Sequence, residues 1–427
     1  MAPYWIGVRR IILAACIGLG AGLASAFFLE ALNATTRLWL AYPLLIWGLP
    51  VVGFVMAALY RVSGPAAAAG NNLIINAVHD PESQRVPLRL FPLVLGSTLL
   101  THLCGGSAGR EGTAVQMAGS IVGTVIKYLH IDRQESRLLL MAGISAGFAS
   151  VFGTPLAGMV FGMEVLAIGS IRMKAAVPCL IAAMVGDATV RLLGVAHGQY
   201  LLHSLPVVSP GLIGWSVLAG VVFAGIAVLF VEGNRVVEGV GKQLIRDSRW
   251  RTAVGGVVVI TFTYISGTRE YNGLSLPLLS SAFSPAGVPM WAFALKLLFT
   301  VVTLGFGFKG GEVTPLFVIG ATAGATIGRL CGLPMDVMAA LGFVAVFGAA
   351  AQTPLACLIL GVELFGAGLL VPMAIVVVVA VACVGQRGIY HAQRITSLHD
   401  EIDSAQRKPM LSDVQSKRSS WRWFTLD

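Results

Sequence analysis

Residues 105–120 read GGSAGREGTAVQMAGS, and residues 310–324 read GGEVTPLFVIGATAG. Each sets a glutamate among glycines just ahead of an apolar run, in a chain that is 56% hydrophobic and 11% charged. Soluble domains carry roughly 25% charged residues. Apolar stretches near 11–33, 42–60, 89–103, 114–129, 175–196, 210–232, 290–304 and 369–384 suit membrane helices, whose apolar span is roughly 17–25 residues. Others, such as 336–351, are shorter or broken by Gly or Pro. Irregular backbone at membrane depth survives only where protein or a watery cavity surrounds it. The chain therefore reads as an all-α polytopic membrane protein with interrupted helices. Its 51 glycines fit close helix packing through small residues.

The charge excludes several classes. Arg9 and Arg10 precede an apolar run longer than the 7–15-residue core of a signal peptide, so we expect an uncleaved first helix. Arg387, Arg394, Arg407, Lys408, Lys417, Arg418 and Arg422 follow the last apolar run. By the positive-inside rule both termini are expected in the cytoplasm, which accounts for the net charge of +9 without nucleic acid. The stretch 231–251 is a basic linker in this reading. The six cysteines form no CxxC pair and no histidine stands at metal-ligand spacing, so we expect neither metal nor disulfide. His79 and His102 read as satisfied polar groups at helix ends. No HExxH, GxSxG or P-loop is present, which leaves an enzyme without machinery and implies no cofactor.

The two glycine-glutamate segments belong to a longer repeat. At an offset of 201 residues, Gly109, Glu111 and Thr113 meet Gly310, Glu312 and Thr314. At an offset of 199, residues 143–169 match 342–368 at ten of 27 positions, including TPLA and the pair Glu164 and Glu363. We expect a first transmembrane repeat over 1–230, a second over 252–390, and a short polar tail at 391–427. Repeats of this kind mark transport folds, whose substrate often sits between them at the N-termini of broken helices. Unpaired amides and the positive end of the dipole make such termini anion sites. Pro315 suits the first turn of the second helix.

These residues carry a resemblance. GGSAGREGTAVQMAGS resembles the G-(K/R)-E-G-P signature of the CLC chloride channels and anion/proton antiporters, and GGEVTP resembles their G-x-F-x-P signature. GISAGFASVFGTPLAGMVFGMEV (143–165) is similar to the segment that follows the first signature, and RGIYHAQR (387–394) to the final helix with its pore tyrosine. Thr113 replaces the proline of chloride members, GNNLI (70–74) replaces their G-S-G-I-P loop, Val313 their phenylalanine, and Val165 their internal glutamate. That combination is similar to the bacterial fluoride/proton antiporter branch.

The resemblance implies a CLC-type fold with inverted halves, a homodimer with one pathway per subunit, and a site in the bacterial inner membrane. Glu111 would gate the pathway and carry protons, because an ionised carboxylate can itself occupy an anion site. The bland alternative is an ion pair with Arg110. Glu312 would relay protons, or simply cap its helix. Thr314 would offer a hydroxyl to the anion or serve as an ordinary cap. The remaining anion-binding candidates are Asn71, Asn72, Gly112, Thr113, Val313 and Tyr390. The asparagines could instead form a turn, and Tyr390 an interfacial anchor. The expected substrates are fluoride and protons; a chloride/proton antiporter or a passive anion channel of the same fold is the alternative. A membrane enzyme or receptor would leave anion flux indifferent to Glu111.

Overall fold

The computed structural model describes residues 3–198, 200, 202–203 and 209–395, so the tail beyond Ile395 lies outside the described residues. The first half runs α1 (Pro3–Ala41), α2 (Leu49–Ser63), α3 (Pro65–Ala68), α4 (Asn71–His79), α5 (Leu90–Leu103) and α6 (Glu111–Leu129). It continues with α7 (Arg133–Phe152), α8 (Pro155–Glu164) and α9 (Ala176–Leu192). Then follow α10 (Pro210–Leu244), α11 (Ser248–Ser266), α12 (Leu276–Ala282) and α13 (Ala292–Gly305). The last four are α14 (Val313–Cys331), α15 (Met335–Ala351), α16 (Pro354–Phe365) and α17 (Leu370–Val384). Extended structure among the described residues is limited to a parallel pairing of Ala167–Ile168 with Arg394–Ile395 and a bridge between Gly109 and Gly311.

Among the described residues, seven segments are long and apolar enough to cross a membrane. Two of them, Arg133–Phe152 and Val313–Cys331, escaped the hydropathy reading because they bury most of their surface in the protein and need little lipid-facing apolar area. α5, α13, α15 and α16 are shorter apolar helices, the broken elements expected of this fold class.

Apart from the four-residue α3, the order repeats. α1, α2, α4 and α5 to α9 correspond to α10 through α17. α1 packs on α9 as α10 packs on α17, and α6 on α7 as α14 on α15. This corrects two expectations. α10 is one unbroken 35-residue helix; it runs through the boundary expected at 230 and through most of the supposed 231–251 linker. As the counterpart of α1 it opens the second half, and we propose that the repeats divide within 193–209. The register near the signatures is also one residue longer than the identities implied. α6 and α14 are both 19 residues and begin at Glu111 and Val313. Glu111 thus corresponds to Val313, Arg110 to Glu312 and Gly112 to Thr314. Matching glycines and threonines in a biased composition had slipped the alignment by one.

The halves are inverted. Glu164, at the C-terminus of α8, accepts from the Leu355 and Ala356 amides at 3.0 and 2.8 Å, in the first turn of α16. Glu363, in the last turns of α16, accepts from Leu156 and Ala157 at 3.0 and 2.7 Å, in the first turn of α8. Each helix caps the start of its mate, so the two run antiparallel, as an axis in the membrane plane requires. The Gly109–Gly311 bridge is antiparallel for the same reason. These caps explain why a carboxylate recurs at both positions.

Replacing Glu363 with alanine leaves two amides of α8 without partners. With charged hydrogen bonds worth about 1.5–3 kcal/mol, Glu363→Ala and Glu164→Ala should each lower stability by about 2 kcal/mol, read by thermal unfolding in detergent.

Candidate anion and proton site

At three helix starts, those of α7, α10 and α11, the residue ahead of the first turn supplies an acceptor. Asp132 accepts from Gln134 and Glu135, Ser209 from Leu212, and Asp247 from Arg249. α4, α6 and α14 begin without such a cap. The first amides of a helix have no intrahelical partner, so three uncapped starts inside a membrane protein leave donors for another acceptor. All three contribute to one small cavity, through Asn71, Glu111 with Gly112, and Val313.

The loops ahead of α6 and α14 are tied to each other. Gly109 N–H donates to Gly311 O at 2.6 Å, and Gly311 N–H to Gly109 O at 2.8 Å. A side chain at Gly311 would stand 2.9 Å from the Gly112 amide nitrogen, so the approach requires glycine. This bridge carries Glu111 across to the other repeat. Its Oε2 accepts from Thr314 N–H at 3.1 Å and from Arg110 N–H at 3.2 Å, and its Oε1 accepts from the Thr314 hydroxyl. The Arg110 guanidinium lies 3.5 Å away. Glu111 is 1% exposed. Its carboxylate occupies the N-terminus of α14 as an anion would.

Beside it the cavity has a volume of about 10 Å³, room for about one water-sized sphere. Its walls are apolar, with Ile144, Phe148, Phe161 and Val165 among them, and Tyr390 also lines it. The Phe148 and Phe161 rings stack with centroids 4.3 Å apart, and Tyr390 meets Phe161 edge-on at 6.4 Å. Gln116 donates to Asn71 Oδ1 at 3.2 Å. That bond fixes the Asn71 amide with Nδ2 against Gly112, where an added Cβ would sit 2.7 Å from it. Neither Gln116 nor the two phenylalanines was singled out from sequence. Their signal is only a glutamine and aromatic rings in otherwise apolar helices.

Of the expected site residues, Asn71, Glu111, Gly112, Val313 and Tyr390 meet at the cavity, and Thr314 binds Glu111 beside it. Two candidates point elsewhere. Asn72 Oδ1 accepts from Ala392 N–H at 3.0 Å, so this side chain secures the loop that carries Tyr390. The Thr113 hydroxyl pairs with that of Thr98 at 2.7 Å, joining α6 to α5. Glu312 is the cap-position residue of α14, and its buried Oε2 has no hydrogen-bond partner among the described residues. No metal-binding cluster occurs among the described residues. His79 Nε2 lies 3.0 Å from Leu166 O, and His102 contacts Thr98 O and Ala108 O at 2.8 and 3.1 Å.

Inverted repeats, interrupted helices and a carboxylate held at a buried helix start define a membrane transport protein of the CLC type. The sequence matches the voltage gated chloride channel family over residues 52–385, and the chain belongs to that family. A "Chloride/fluoride channel protein" of Pseudomonas syringae pv. tomato is 44% identical, with 98% of this chain and 94% of the relative covered. Among solved structures, a CLC-type fluoride/proton antiporter superposes with a TM-score of 0.89 at 32% identity, over 93% of this chain and all of the other. A slow cyanobacterial Cl−/H+ antiporter shares the fold, with a TM-score of 0.76 at 20% identity over 96% of this chain and 98% of the other.

The Asn71–Gly112 contact generates a check. Gly112→Ala should cost about 1–3 kcal/mol, the usual range for overpacking. Adding Asn71→Ala should recover part of that loss, because it removes the atom the methyl meets. A double-mutant cycle in thermal unfolding measures the coupling.

Proposed function

We propose that the chain is a secondary-active antiporter that exports fluoride in exchange for protons across the bacterial inner membrane. The observation that carries this reading is the Glu111 carboxylate on the amide and hydroxyl of Thr314. The kinship with a fluoride/proton antiporter of known structure supports the choice of ion.

Ionised, Glu111 is held by the positive helix end and blocks it. A proton removes that attraction, the side chain leaves, and the two Thr314 donors become available to an incoming anion. Fluoride re-enters as the glutamate departs, so anion and proton movements are linked. In this scheme Glu312, two residues before Thr314 and with an oxygen unpartnered among the described residues, passes the proton toward the inner side. The Asn71 amide offers a further N–H donor, which suits a small and strongly hydrated ion. Gly112 and Val313 bring backbone to the ion, and Tyr390 narrows the inner end of the cavity. Asn72 and Thr113 act through the Tyr390 loop and the α5–α6 contact.

In the proposed arrangement the chain is a homodimer in the bilayer, each subunit with its own pathway. Arg9 pairs with Glu135 near the start of α7, which sets the α6–α7 turn on the side of the N-terminus. That side and the tail are assigned to the cytoplasm by the positive-inside rule.

Purified protein in liposomes, followed with a fluoride electrode and a pH dye, tests the reading. A proton gradient should drive fluoride uphill, and Glu111→Gln should abolish the proton signal. Fluoride flux with no proton movement in the wild type would make the protein a channel, and chloride-only flux would reverse the choice of ion. Thr314→Val removes one donor to a charged group, worth about 1.5–3 kcal/mol. It should weaken fluoride binding by roughly tenfold or more, read from the concentration dependence of flux.

A further inference from the structure

Behind the loop that carries Glu111 lies a charge that the exchange scheme leaves unused. Lys296, on α13, is fully buried. Its Nζ donates to Gly273 O at 2.8 Å, Ser107 Oγ at 2.9 Å and Tyr271 O at 3.3 Å. An ammonium has three N–H donors and no acceptor, so three oxygens saturate it. The Thr300 hydroxyl donates to Lys296 O at 2.9 Å, so the Ser107 hydroxyl gives its hydrogen to Thr300 Oγ1 and faces Nζ as an acceptor. A neutral amine would turn its lone pair toward an oxygen with no hydrogen to offer. No carboxylate stands within ion-pair distance of Lys296 among the described residues. Burying an unpaired cation costs several kcal/mol, and a hydrophobic residue of similar volume would avoid that cost. The corresponding position in the first repeat is Val94, so the charge is present on one side only.

The loop rests on this region throughout. Gly105 O accepts from Asn272 Nδ2 at 2.8 Å, and Ser107 N–H donates to Thr303 Oγ1 at 3.1 Å. Ser107 Oγ, besides accepting from Lys296, lies 2.9 Å from Thr300 Oγ1. The next residues, Ala108 and Gly109, lead directly to the bridge and to Glu111. Lys296 therefore touches the segment whose placement decides where the gating carboxylate and the helix amides stand. Its charge lies in a medium where salt screens little.

We propose that Lys296 is a positioning and field-setting residue of the anion pathway. Its ammonium pins the Glu111 loop through Ser107 and supplies the fixed positive charge that holds the transported anion at the helix starts. This rests on the antiporter reading.

The test is the fluoride dependence of exchange in liposomes for the wild type, Lys296→Met and Ser107→Asp, at low and high ionic strength. Methionine keeps the length and removes the charge. Aspartate keeps the lysine and neutralises it from the position of the Ser107 hydroxyl, so it remains informative where Lys296→Met fails to fold. Both variants should raise the apparent KM for fluoride roughly tenfold or more, the scale of charge focusing at a cleft. The shift should be the same at both ionic strengths. A folded variant of either kind with the wild-type KM overturns the proposal, even with lowered thermal stability, since that is what a pin without a field would give. Should the wild type move chloride and not fluoride, the choice of ion fails, and Lys296 is judged by the chloride KM in the same variants.

Discussion

The structure turns on one contact across the repeat boundary: the Glu111 carboxylate resting on the amide and hydroxyl of Thr314. A buried carboxylate needs donors or a counter-charge, and a buried helix start needs an acceptor. Each satisfies the other, with Arg110 alongside at 3.5 Å. In the proposed exchange the contact is reversible, because protonating the carboxylate removes its attraction to the helix end. Glycines at 109, 311 and 112 are what allow two loops and an amide to come this close.

Two pairs of helix starts related by the same inversion show how symmetry is used. At α8 and α16 the solution is symmetric: Glu363 caps one helix and Glu164 the other, and both are fixed structural contacts. At α6 and α14 it is asymmetric. Glu111 caps α14, while Val313, its counterpart, offers α6 no acceptor and lines the cavity. Symmetric capping holds the halves together. Broken symmetry leaves helix starts at the cavity without a cap of their own, and in the proposed exchange the transported ion takes their donors.

Much of this could be read from residues. Low charge and long apolar runs dictated a membrane protein, and TPLA with its following glutamate revealed the repeat, because those positions do the same capping job in both halves. Glu111 stood out as an ionisable group among apolar helices. The rest was not legible for physical reasons. The one-residue register error arose because glycine and threonine recur by composition, whereas helix starts fix register by hydrogen bonding. α10 was cut at 230 because Glu232, Arg235 and Lys242 end its hydropathy while its helix continues to Leu244. Asn72 and Thr113 have the right chemistry and the wrong direction, and side-chain direction is set by packing against Ala392 and Thr98. Lys296 has no motif around it in the sequence, and its oxygen shell in the fold is what distinguishes it.

The central claim is that fluoride and the ionised Glu111 compete for the donors at the start of α14. Calorimetric fluoride titrations in buffers of different ionisation enthalpy count the protons taken up per fluoride bound. The account predicts proton uptake on binding to the wild type, with affinity that rises as pH falls, and neither effect in Glu111→Gln. Fluoride binding without proton uptake in the wild type would contradict it, because the displaced carboxylate would then have remained ionised in a site it had supposedly left.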